Sequence, residues 1–594
     1  MSPPPVPRLL ALLVLLGPLA GAAQPAAADS TVADTVATVA GEPSALGRVR
    51  AALADSAFVD VGPSGTMPAA LSGVVWQATA DTDRAIDDLV AMRRAGVRIV
   101  RTGLVADTLV LRAASLLGMS LFQDLPVVGL PATFLVRQTD AAADLLAQAL
   151  ALGRPYSAAR HFGLARASDT SDPRSRPYFE ALTALARERG APGTKTYYVS
   201  RFPEDDRADR TVDFVLLDAR DGDAVGVLRR WRARHETPVG LASIGVGVRP
   251  GRAGGWRRPG TEAAQARTLE TALADLLAVE PPPVAVFVHR WRDAPDDAER
   301  DQRAEVAGTR FGLFTADGEP RPAFDVASGF WTGRQRVFAF DAGVPADRQL
   351  RASPLLLLGW GLVLGLGVFY AGAPRLSGLA PRYFGRRDLY REAVARGYDL
   401  SASETSGLAV GLSLAAGITW AAVLRALGRT DALVAATASW SEPAQARLAS
   451  LLGQPLTLSL VLALAYGTWL VLILIWLNVI SGRRRLRPAQ ALSIAVWCRW
   501  GWFPLMIVAL VLGGIDARLA TTLAPAILAV GLLIEAVAGY RMMWDLEAVT
   551  HVPPARALLL GFGLPFVLVV AGLVWLALTS RAEAGFLWHL ATRS

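Results

Sequence analysis

The chain has 594 residues, of which 52% are hydrophobic, and a formal net charge of +8 at pH 7. Arginine carries nearly all of the positive charge, since Lys195 is the only lysine. The arginines are scattered or gathered beside apolar runs, with no stripe interleaved with aromatics, which excludes nucleic acid as the expected partner. The single cysteine, Cys498, excludes an intrachain disulfide.

The first 28 residues have the pattern of a secretory signal peptide. Arg8 precedes an apolar run over residues 9–20, and small residues then continue to Ala28. The run is too short to cross a bilayer comfortably, although an uncleaved signal anchor is the alternative. We therefore expect the following residues to be exported, beginning with a pre-barrel segment at 29–70.

Between Leu71 and Trp331, short apolar runs alternate with polar helical segments. Strands are predicted at Ser72–Trp76, Arg98–Thr102, Ser120–Asp124, Ala158–Leu164, Thr196–Ser200, Val212–Leu217, Val239–Ile244 and Val284–His289. Helices are predicted at Asp81–Ala95, Asp107–Leu117, Asp140–Leu152, Pro177–Arg189, Asp221–Arg234 and Thr261–Ala278. This alternation is typical of an α/β fold of the (β/α)8 barrel type, which we assign to residues 71–335. A doubly wound open sheet is the alternative, but no glycine-rich phosphate loop follows the first strand.

Three blocks of this region resemble the barrel of family 2 glycoside hydrolases, the β-galactosidase and β-glucuronidase group. They are IDDLVAMRRAGVRIVRTGLVADTLVLRAASLLGMSLFQDLPV at 86–127, VFVHRWRD at 286–293 and GLFTADGEPRPAF at 312–324. By this match, Arg101 ends strand two, where the family's arginine supports the nucleophile, and Asp124 ends strand three. Trp291 falls where the family has a tryptophan that stacks on the sugar. The resemblance implies a barrel that takes a glycan.

The two catalytic carboxylates of that family are missing from the matching positions. The family reads Ser-Leu-Gly-Asn-Glu after strand four, but here Arg166 and Ala167 stand in place of Asn-Glu, and the only asparagine, Asn478, lies elsewhere. Ser243 stands where strand seven ends in the nucleophilic glutamate. A retaining glycosidase needs two carboxyl groups about 5–5.5 Å apart, and none of these three side chains supplies one. The sequence therefore predicts a barrel that has lost hydrolysis.

We expect this barrel to keep a cleft lined by Arg101, Asp124, Trp291 and Trp76, which binds a glycan or an envelope protein. The alternative is an active glycosidase that uses relocated carboxylates, with Asp124 and Asp218 as the candidates. Asp169 and Asp293 also lie at or just past strand ends on the face where barrel active sites form.

His161 and His289 fall on strands four and eight without a carboxylate at ligand spacing, so neither a metal nor another cofactor is expected. A basic loop follows strand seven and contains Trp256 together with four arginines, Arg249, Arg252, Arg257 and Arg258. This loop either clamps an anionic sugar or a lipid headgroup, or is a solvated loop.

Composition changes near Ser353, after a linker at 336–353, and apolar blocks of membrane-spanning length follow. Six spans are predicted: Pro354–Ala373, Thr405–Leu427, Leu456–Ser481, Ala489–Gly513, Leu519–Tyr540 and Arg556–Thr579. They form an all-α domain at 354–580 with a short outward tail at 581–594. If the barrel lies outside, twelve arginines lie in inward segments and six in outward ones, which fits the inner membrane and the positive-inside bias.

Two features of this half are not explained by membrane spanning alone. Arg499 and Glu535 fall inside the fourth and fifth spans, and we expect them to pair because each relieves the desolvation of the other. The segment Pro381–Leu400 carries arginines around an apolar helical face, and either lies on the inner leaflet or forms a solvated connecting helix. A membrane sensor or transport component, with the barrel as its ligand-binding domain, is the remaining alternative function.

Overall fold

The computed structural model describes residues 45–54, 67–220, 222–249, 251–293, 310–343, 354–398, 400–428, 433, 436–437, 442–480, 486–512, 517–550 and 571–572. The predicted signal peptide lies outside these residues, as does nearly all of the predicted sixth span, Arg556–Thr579.

Eight parallel strands close into a barrel, in which each strand pairs with its neighbours in chain order and β8 pairs with β1. They are β1 Gly73–Val75, β2 Ile99–Gly103, β3 Ser120–Asp124, β4 Ala159–Arg166, β5 Lys195–Ser200, β6 Phe214–Arg220, β7 Val239–Gly245 and β8 Val286–Val288. The closed barrel confirms the predicted fold class and excludes the open doubly wound sheet.

Nine helices are described up to Thr332. They are α1 Ala45–Ala54, α2 Thr82–Arg94, α3 Thr108–Leu116, α4 Ala132–Arg137, α5 Thr139–Gly153, α6 Arg176–Arg189, α7 Ala224–Arg232, α8 Glu262–Leu277 and α9 Pro322–Thr332. The side chains of Asp81, Asp107, Asp223 and Thr261 each accept a backbone N–H at the start of a helix. These caps explain why the helix starts were predictable from sequence.

Three of these helices were not among the six predicted: α9 at the end of the barrel, and two that lie before or between the predicted elements. The first of these two, α1, lies in the segment expected to be a pre-barrel linker, and it packs on the barrel because Val49 and Ala52 are buried in the main core. Arg48 on the same helix forms ion pairs with Asp83 and Asp87 of α2, at 2.9 and 3.0 Å. The other is the short helix α4, which follows Pro131 in the β3–α5 connection.

The barrel interior is filled mainly by large side chains from its strands. The buried set consists of Ile99, Phe122, Tyr197, Val199, Phe214, Leu216, Ala242, Ala285 and Phe287. His161 stacks on Phe122 with 4.1 Å between ring centroids. Burial, with a smaller contribution from Lys195, lowers the pKa of His161 to about 4, so the imidazole is neutral at pH 7. A neutral, stacked histidine is part of the core packing.

The C-terminal half is helical throughout its described residues. The helices are α10 Pro354–Gly372, α11 Pro374–Gly385, α12 Arg387–Arg396, α13 Ala402–Leu427, α14 Glu442–Gly453, α15 Pro455–Ile480, α16 Pro488–Trp497, α17 Trp502–Val511 and α18 Ala517–Thr550. Five segments are long and apolar enough to cross a membrane: Pro354–Gly372, Ala402–Leu427, Pro455–Asn478, Pro488–Val511 and Thr522–Thr550. They correspond to the first five predicted spans.

The structure corrects two of those spans in detail. The fourth is not one continuous helix, because α16 ends at Trp497 and α17 begins only at Trp502. The fifth was predicted to end at Tyr540, but α18 continues to Thr550 and carries the buried Asp545 in its last turns. Asp545 accepts from Arg387 and Arg391 of α12, at 3.2 and 3.1 Å.

The segment Pro381–Leu400 is likewise divided between α11 and α12, instead of forming one amphipathic helix. Tyr383 and Tyr390 are buried, whereas Phe384 and Leu389 of the predicted apolar face are exposed. The first helix ends at Gly385 and the second begins at Arg387, because Arg386 between them has a non-helical backbone conformation. Burial raises the pKa of Tyr383 to about 12, so this phenol stays protonated next to Arg541.

Candidate functional site

The candidate site is a polar layer at the carboxyl ends of the barrel strands, where barrel enzymes place their active sites. The six consecutive strands from β2 to β7 and the loop after β5 contribute to it. The residues are Arg101 from β2, Asp124 from β3, Arg166 from β4, Tyr197 from β5, Arg201 just after β5, Asp218 and Arg220 from β6 and Ser243 from β7.

Asp124 is the centre of the first half of this layer. Its Oδ2 lies 2.7 Å from Arg101 Nη2, and its Oδ1 accepts a hydrogen bond from the Tyr197 hydroxyl at 2.8 Å. Arg101 crosses the interior of the barrel, because its Nη1 also donates to the carbonyl oxygen of Ala242 on β7 at 3.0 Å. The guanidinium and the phenol thus hold the carboxylate from two sides.

Strand register explains how Tyr197 reaches Asp124 across an intervening strand. Asp124 is paired with Gly163, and Gly163 is paired with Tyr197, so the three residues lie side by side on β3, β4 and β5. A Cβ on Gly163 would lie 2.3 Å from Asp124 Oδ1 and 2.8 Å from the Tyr197 ring. Only glycine at position 163 leaves room for this hydrogen bond.

Asp218 is the centre of the second half. Arg220 binds both of its carboxylate oxygens, with Nη2 at 2.7 Å from Oδ2 and Nε at 3.1 Å from Oδ1. Ser243, its register partner on β7, donates its hydroxyl to Oδ1 at 2.7 Å, and Arg201 Nη2 lies 3.5 Å from Oδ2. Arg220 Nη1 is also 3.4 Å from His289 Nε2, which links the cluster to the end of the barrel's last strand.

This layer contains more positive than negative groups. Two carboxylates, Asp124 and Asp218, lie among four guanidinium groups, which are those of Arg101, Arg166, Arg201 and Arg220. Burial lowers the pKa of Arg101, but the charges of Asp124 and Asp218 and the hydrogen bond to Asp124 outweigh it and hold the pKa above its ordinary value. Burial and the charge of Asp124 raise the pKa of Tyr197 well above its ordinary value, so the phenol remains a donor. The layer is therefore a fixed array of charges with an excess of positive groups.

The positions that correspond to the missing catalytic residues have distinct local structures. Arg166 ends β4 with a largely exposed side chain whose Nε lies 4.0 Å from Asp124 Oδ2. Ala167 has a positive φ of 51°, which an alanine rarely adopts, and its N–H donates to the Val199 carbonyl at 3.0 Å. Ser243 donates to Asp218, so its hydroxyl is engaged in the ion-pair cluster.

The structure places both predicted cleft tryptophans in the interior, contrary to their expected position in an open cleft. Trp76 is 3% exposed, and its Nε1 donates to Asp88 Oδ2 at 3.2 Å. Trp291 is 1% exposed and packs against the rings of Phe314 and Phe324. A ring covered on its faces by other side chains contributes packing and cannot stack on a sugar without rearrangement.

Of the other carboxylates considered at strand ends, Asp293 has a structural partner: its Oδ2 lies 2.6 Å from Arg321 Nη2, and its Oδ1 accepts from the backbone N–H of Gly312. Asp169 accepts from the hydroxyl of Ser171 at 2.6 Å in the loop after β4. Within the described part of the chain, no three His, Cys, Asp or Glu side chains come close enough to hold a metal ion.

Sequence reasoning missed Tyr197, Arg201 and Arg220, although all three contact the carboxylates it selected. For Arg220 a signal was present, because a charged residue two positions after Asp218 on a strand points to the same face. Tyr197 follows Thr196 in an apolar run and reads as an ordinary core aromatic. Its role depends on the register with Gly163, which pattern alone does not give.

The predicted membrane pair also comes together. Arg499 Nε lies 3.0 Å from Glu535 Oε2, and Trp502 Nε1 donates to Glu535 Oε1 at 2.9 Å. The Tyr466 hydroxyl donates to the same oxygen. Arg499 lies in the break between α16 and α17, where its Nη1 caps the Ala495 carbonyl at 2.5 Å. The charges are thus neutralised within the helix bundle.

Comparison with known proteins gives only structural matches. No protein family matches the sequence, and no curated protein does either. The structure is similar to a family 2 β-galacturonidase from Eisenbergiella tayi, with 14% identity, a TM-score of 0.40, and coverage of 46% of this chain and 53% of that one. It is also similar to a β-glucuronidase from Faecalibacterium prausnitzii, with 19% identity, a TM-score of 0.40, and coverage of 46% and 50%.

A β-glucuronidase from Ruminococcus gnavus gives a third match, with 16% identity, a TM-score of 0.39, and coverage of 44% of this chain and 50% of that one. The chain thus spans about half the length of these proteins. The similarity concerns the fold, which the strand pairing establishes independently.

Proposed function

We propose that this chain is a membrane-anchored, exported protein whose barrel binds a glycan at the carboxyl ends of its strands and does not cleave it. The observation that carries the proposal is the state of the two carboxylates on that face. Arg101 and Tyr197 hold Asp124, and Arg220 and Ser243 hold Asp218, with every one of these contacts at or below 3.1 Å.

This arrangement opposes glycosidase chemistry for a physical reason. Hydrolysis needs one carboxyl group that carries a proton for the leaving oxygen and a second that approaches the anomeric carbon or activates water. An aspartate held by a guanidinium at 2.7 Å and by a hydroxyl has both oxygens engaged as hydrogen-bond acceptors, so neither oxygen is free to donate a proton to a leaving group. Asp124 and Asp218 are both held in this way, which favours a structural role over the alternative of relocated catalytic carboxylates.

The same charges support ligand binding. Arg166 is the most exposed of the four guanidinium groups, and its side chain has 47% of its surface accessible. Guanidinium groups donate several hydrogen bonds in a fixed plane and suit hydroxyl-rich or acidic ligands. The excess of arginine over aspartate favours a sugar that carries acidic groups over a neutral one.

The membrane half supports anchoring, and the distribution of its arginines supports the proposed orientation. Five described segments have the length and composition of membrane spans. The arginine-rich helices α11 and α12 follow directly after the first span, as expected for an inward-facing segment when the barrel lies outside. The Arg499–Glu535 cluster is closed by Tyr466 and Trp502, which favours a structural pair over a transport pathway.

The proposal is tested with the full-length chain in lipid nanodiscs, by measuring binding to an array of neutral and acidic glycans together with release of reducing sugar. We expect binding without release, and loss of binding on Arg166→Ala but not on Arg189→Ala, a control at the opposite end of the barrel. Release that disappears on Asp124→Asn or Asp218→Asn would instead show an active hydrolase. Absence of both signals would refute carbohydrate binding and favour a function of the membrane half.

A further inference from the structure

A second surface on the same side of the barrel is formed by the loop between β7 and α8. Residues 249–260 contain four arginines and no acidic residue. Arg249, Arg257 and Arg258 are exposed, and so is Trp256, at 38% of its surface. The Arg257 guanidinium lies 5.6 Å from the centre of the Trp256 ring. This basic loop is attached to the carboxyl end of β7 and therefore belongs to the rim of the candidate site.

The chain leaves the barrel beside this loop. After α9 it runs back along α8, where the backbone N–H of Phe338 donates to Glu270 Oε1 at 3.0 Å. It then meets the basic loop, because the Trp256 N–H donates to the Asp341 carbonyl at 2.9 Å. A Cβ on Gly255 would lie 2.1 Å from the backbone nitrogen of Gly343, so the two backbones are in direct contact. The exit point is thus fixed at the rim of the ligand-binding face.

The first membrane span begins close by in the sequence. Only residues 344–353 separate Gly343 from Pro354, the first residue of α10. A polypeptide extends by at most about 3.6 Å per residue, so the basic loop lies within about 40 Å of the first residue of that span. The basic loop can therefore reach a membrane that contains this span.

We propose that the basic loop docks on anionic lipid headgroups of the membrane that holds the first span, and that it turns the ligand-binding face of the barrel toward that membrane. Clustered arginines next to a membrane are attracted to anionic lipid, with an increase in binding of about five-fold for each residue near the surface. Trp256 has the apolar body and polar edge that favour the headgroup region. Docking does not depend on glycan binding and is measurable without it.

Docking is tested with the full-length chain in nanodiscs, by spin labelling at one of two introduced cysteines in a Cys498→Ala background. Ala253→Cys places the label in the basic loop without removing an arginine, and Arg189→Cys places it at the end of α6, on the opposite face of the barrel. Headgroups that carry a paramagnetic chelate broaden the spectrum of a nearby label. We expect strong broadening at position 253 and little at position 189 when the nanodisc contains anionic lipid.

The charge contribution is measured with Arg257→Gln/Arg258→Gln, which should lower the ratio of docked to undocked barrel about 25-fold. The matched control Arg187→Gln/Arg189→Gln removes the same charge from the opposite face and should leave the ratio unchanged. Equal broadening at positions 253 and 189, or broadening that is the same in zwitterionic and anionic nanodiscs, would overturn the proposal. So would loss of docking in the control alone.

Discussion

Replacing Asp124 by asparagine is expected to destabilise the barrel by about 3–5 kcal/mol. The substitution keeps an oxygen that accepts from Tyr197, so the principal loss is the ion pair with Arg101 at 2.7 Å. Arg101 is 5% exposed, and without its partner it becomes an uncompensated charge in the interior. The free energy of unfolding is to be measured by urea titration with pulse proteolysis, on the full chain in nanodiscs.

A double-mutant cycle separates the ion pair from other effects of the substitution. Arg101→Met alone should cost a similar amount, whereas Arg101→Met/Asp124→Leu should cost less than either single change, because neither partner of the pair is left as an uncompensated buried charge. Asp83→Asn serves as the control, since Asp83 pairs with Arg48 in an exposed setting and should change stability by less than about 1 kcal/mol. A change below about 1 kcal/mol for Asp124→Asn would refute the view that the ion pair holds this face together.

Three further predictions concern other parts of the chain. Gly163→Ala should destabilise the barrel by about 1–3 kcal/mol, because its Cβ would overlap Asp124 Oδ1; unchanged urea unfolding would contradict this. Folding lowers the pKa of His161, so protonation of this residue favours the unfolded chain. The free energy of unfolding should therefore be unaffected by His161 above about pH 6.5 and should fall by about 3 kcal/mol in all as the pH is lowered toward 4. His161→Phe should remove this acid dependence, and an unchanged pH profile would exclude His161 as its source. Glu535→Leu should reduce folded protein in the membrane, whereas Arg499→Met/Glu535→Leu should restore it, as measured by size-exclusion chromatography in detergent; failure of the double variant would argue for a functional pair.

The barrel was largely predictable because its signals are local. β3 was predicted at its observed bounds, and α2, α3 and α8 each begin after a capping Asp or Thr that the sequence displays. The contact between Arg101 and Asp124 was also predictable, since neighbouring parallel strands end at the same edge of the barrel. These features depend on a few adjacent residues and on a regular alternation, both of which are visible in the sequence.

The missed features depend on packing between distant segments. Trp76 is buried and donates a hydrogen bond to Asp88 on α2, and nothing near Trp76 in the sequence indicates this partner. The break after Trp497 lies within an apolar run that reads as one continuous helix, and it occurs where Arg499 turns toward Glu535 on another helix. Hydrophobic patterns identify which segments are buried, but not which partners a polar group inside them meets.

Anchoring of the exit segment has a consequence for how often the barrel meets a molecule held in the same bilayer. If residues 336–353 were all unattached to the barrel, its exit point could lie as far as about 68 Å from the first span. Because Glu270 and Trp256 hold the chain as far as Gly343, that limit falls to about 40 Å. The volume available to the barrel scales with the cube of this distance and shrinks about five-fold. Its local concentration over membrane-attached ligands rises by the same factor, which raises their apparent affinity without any added contact.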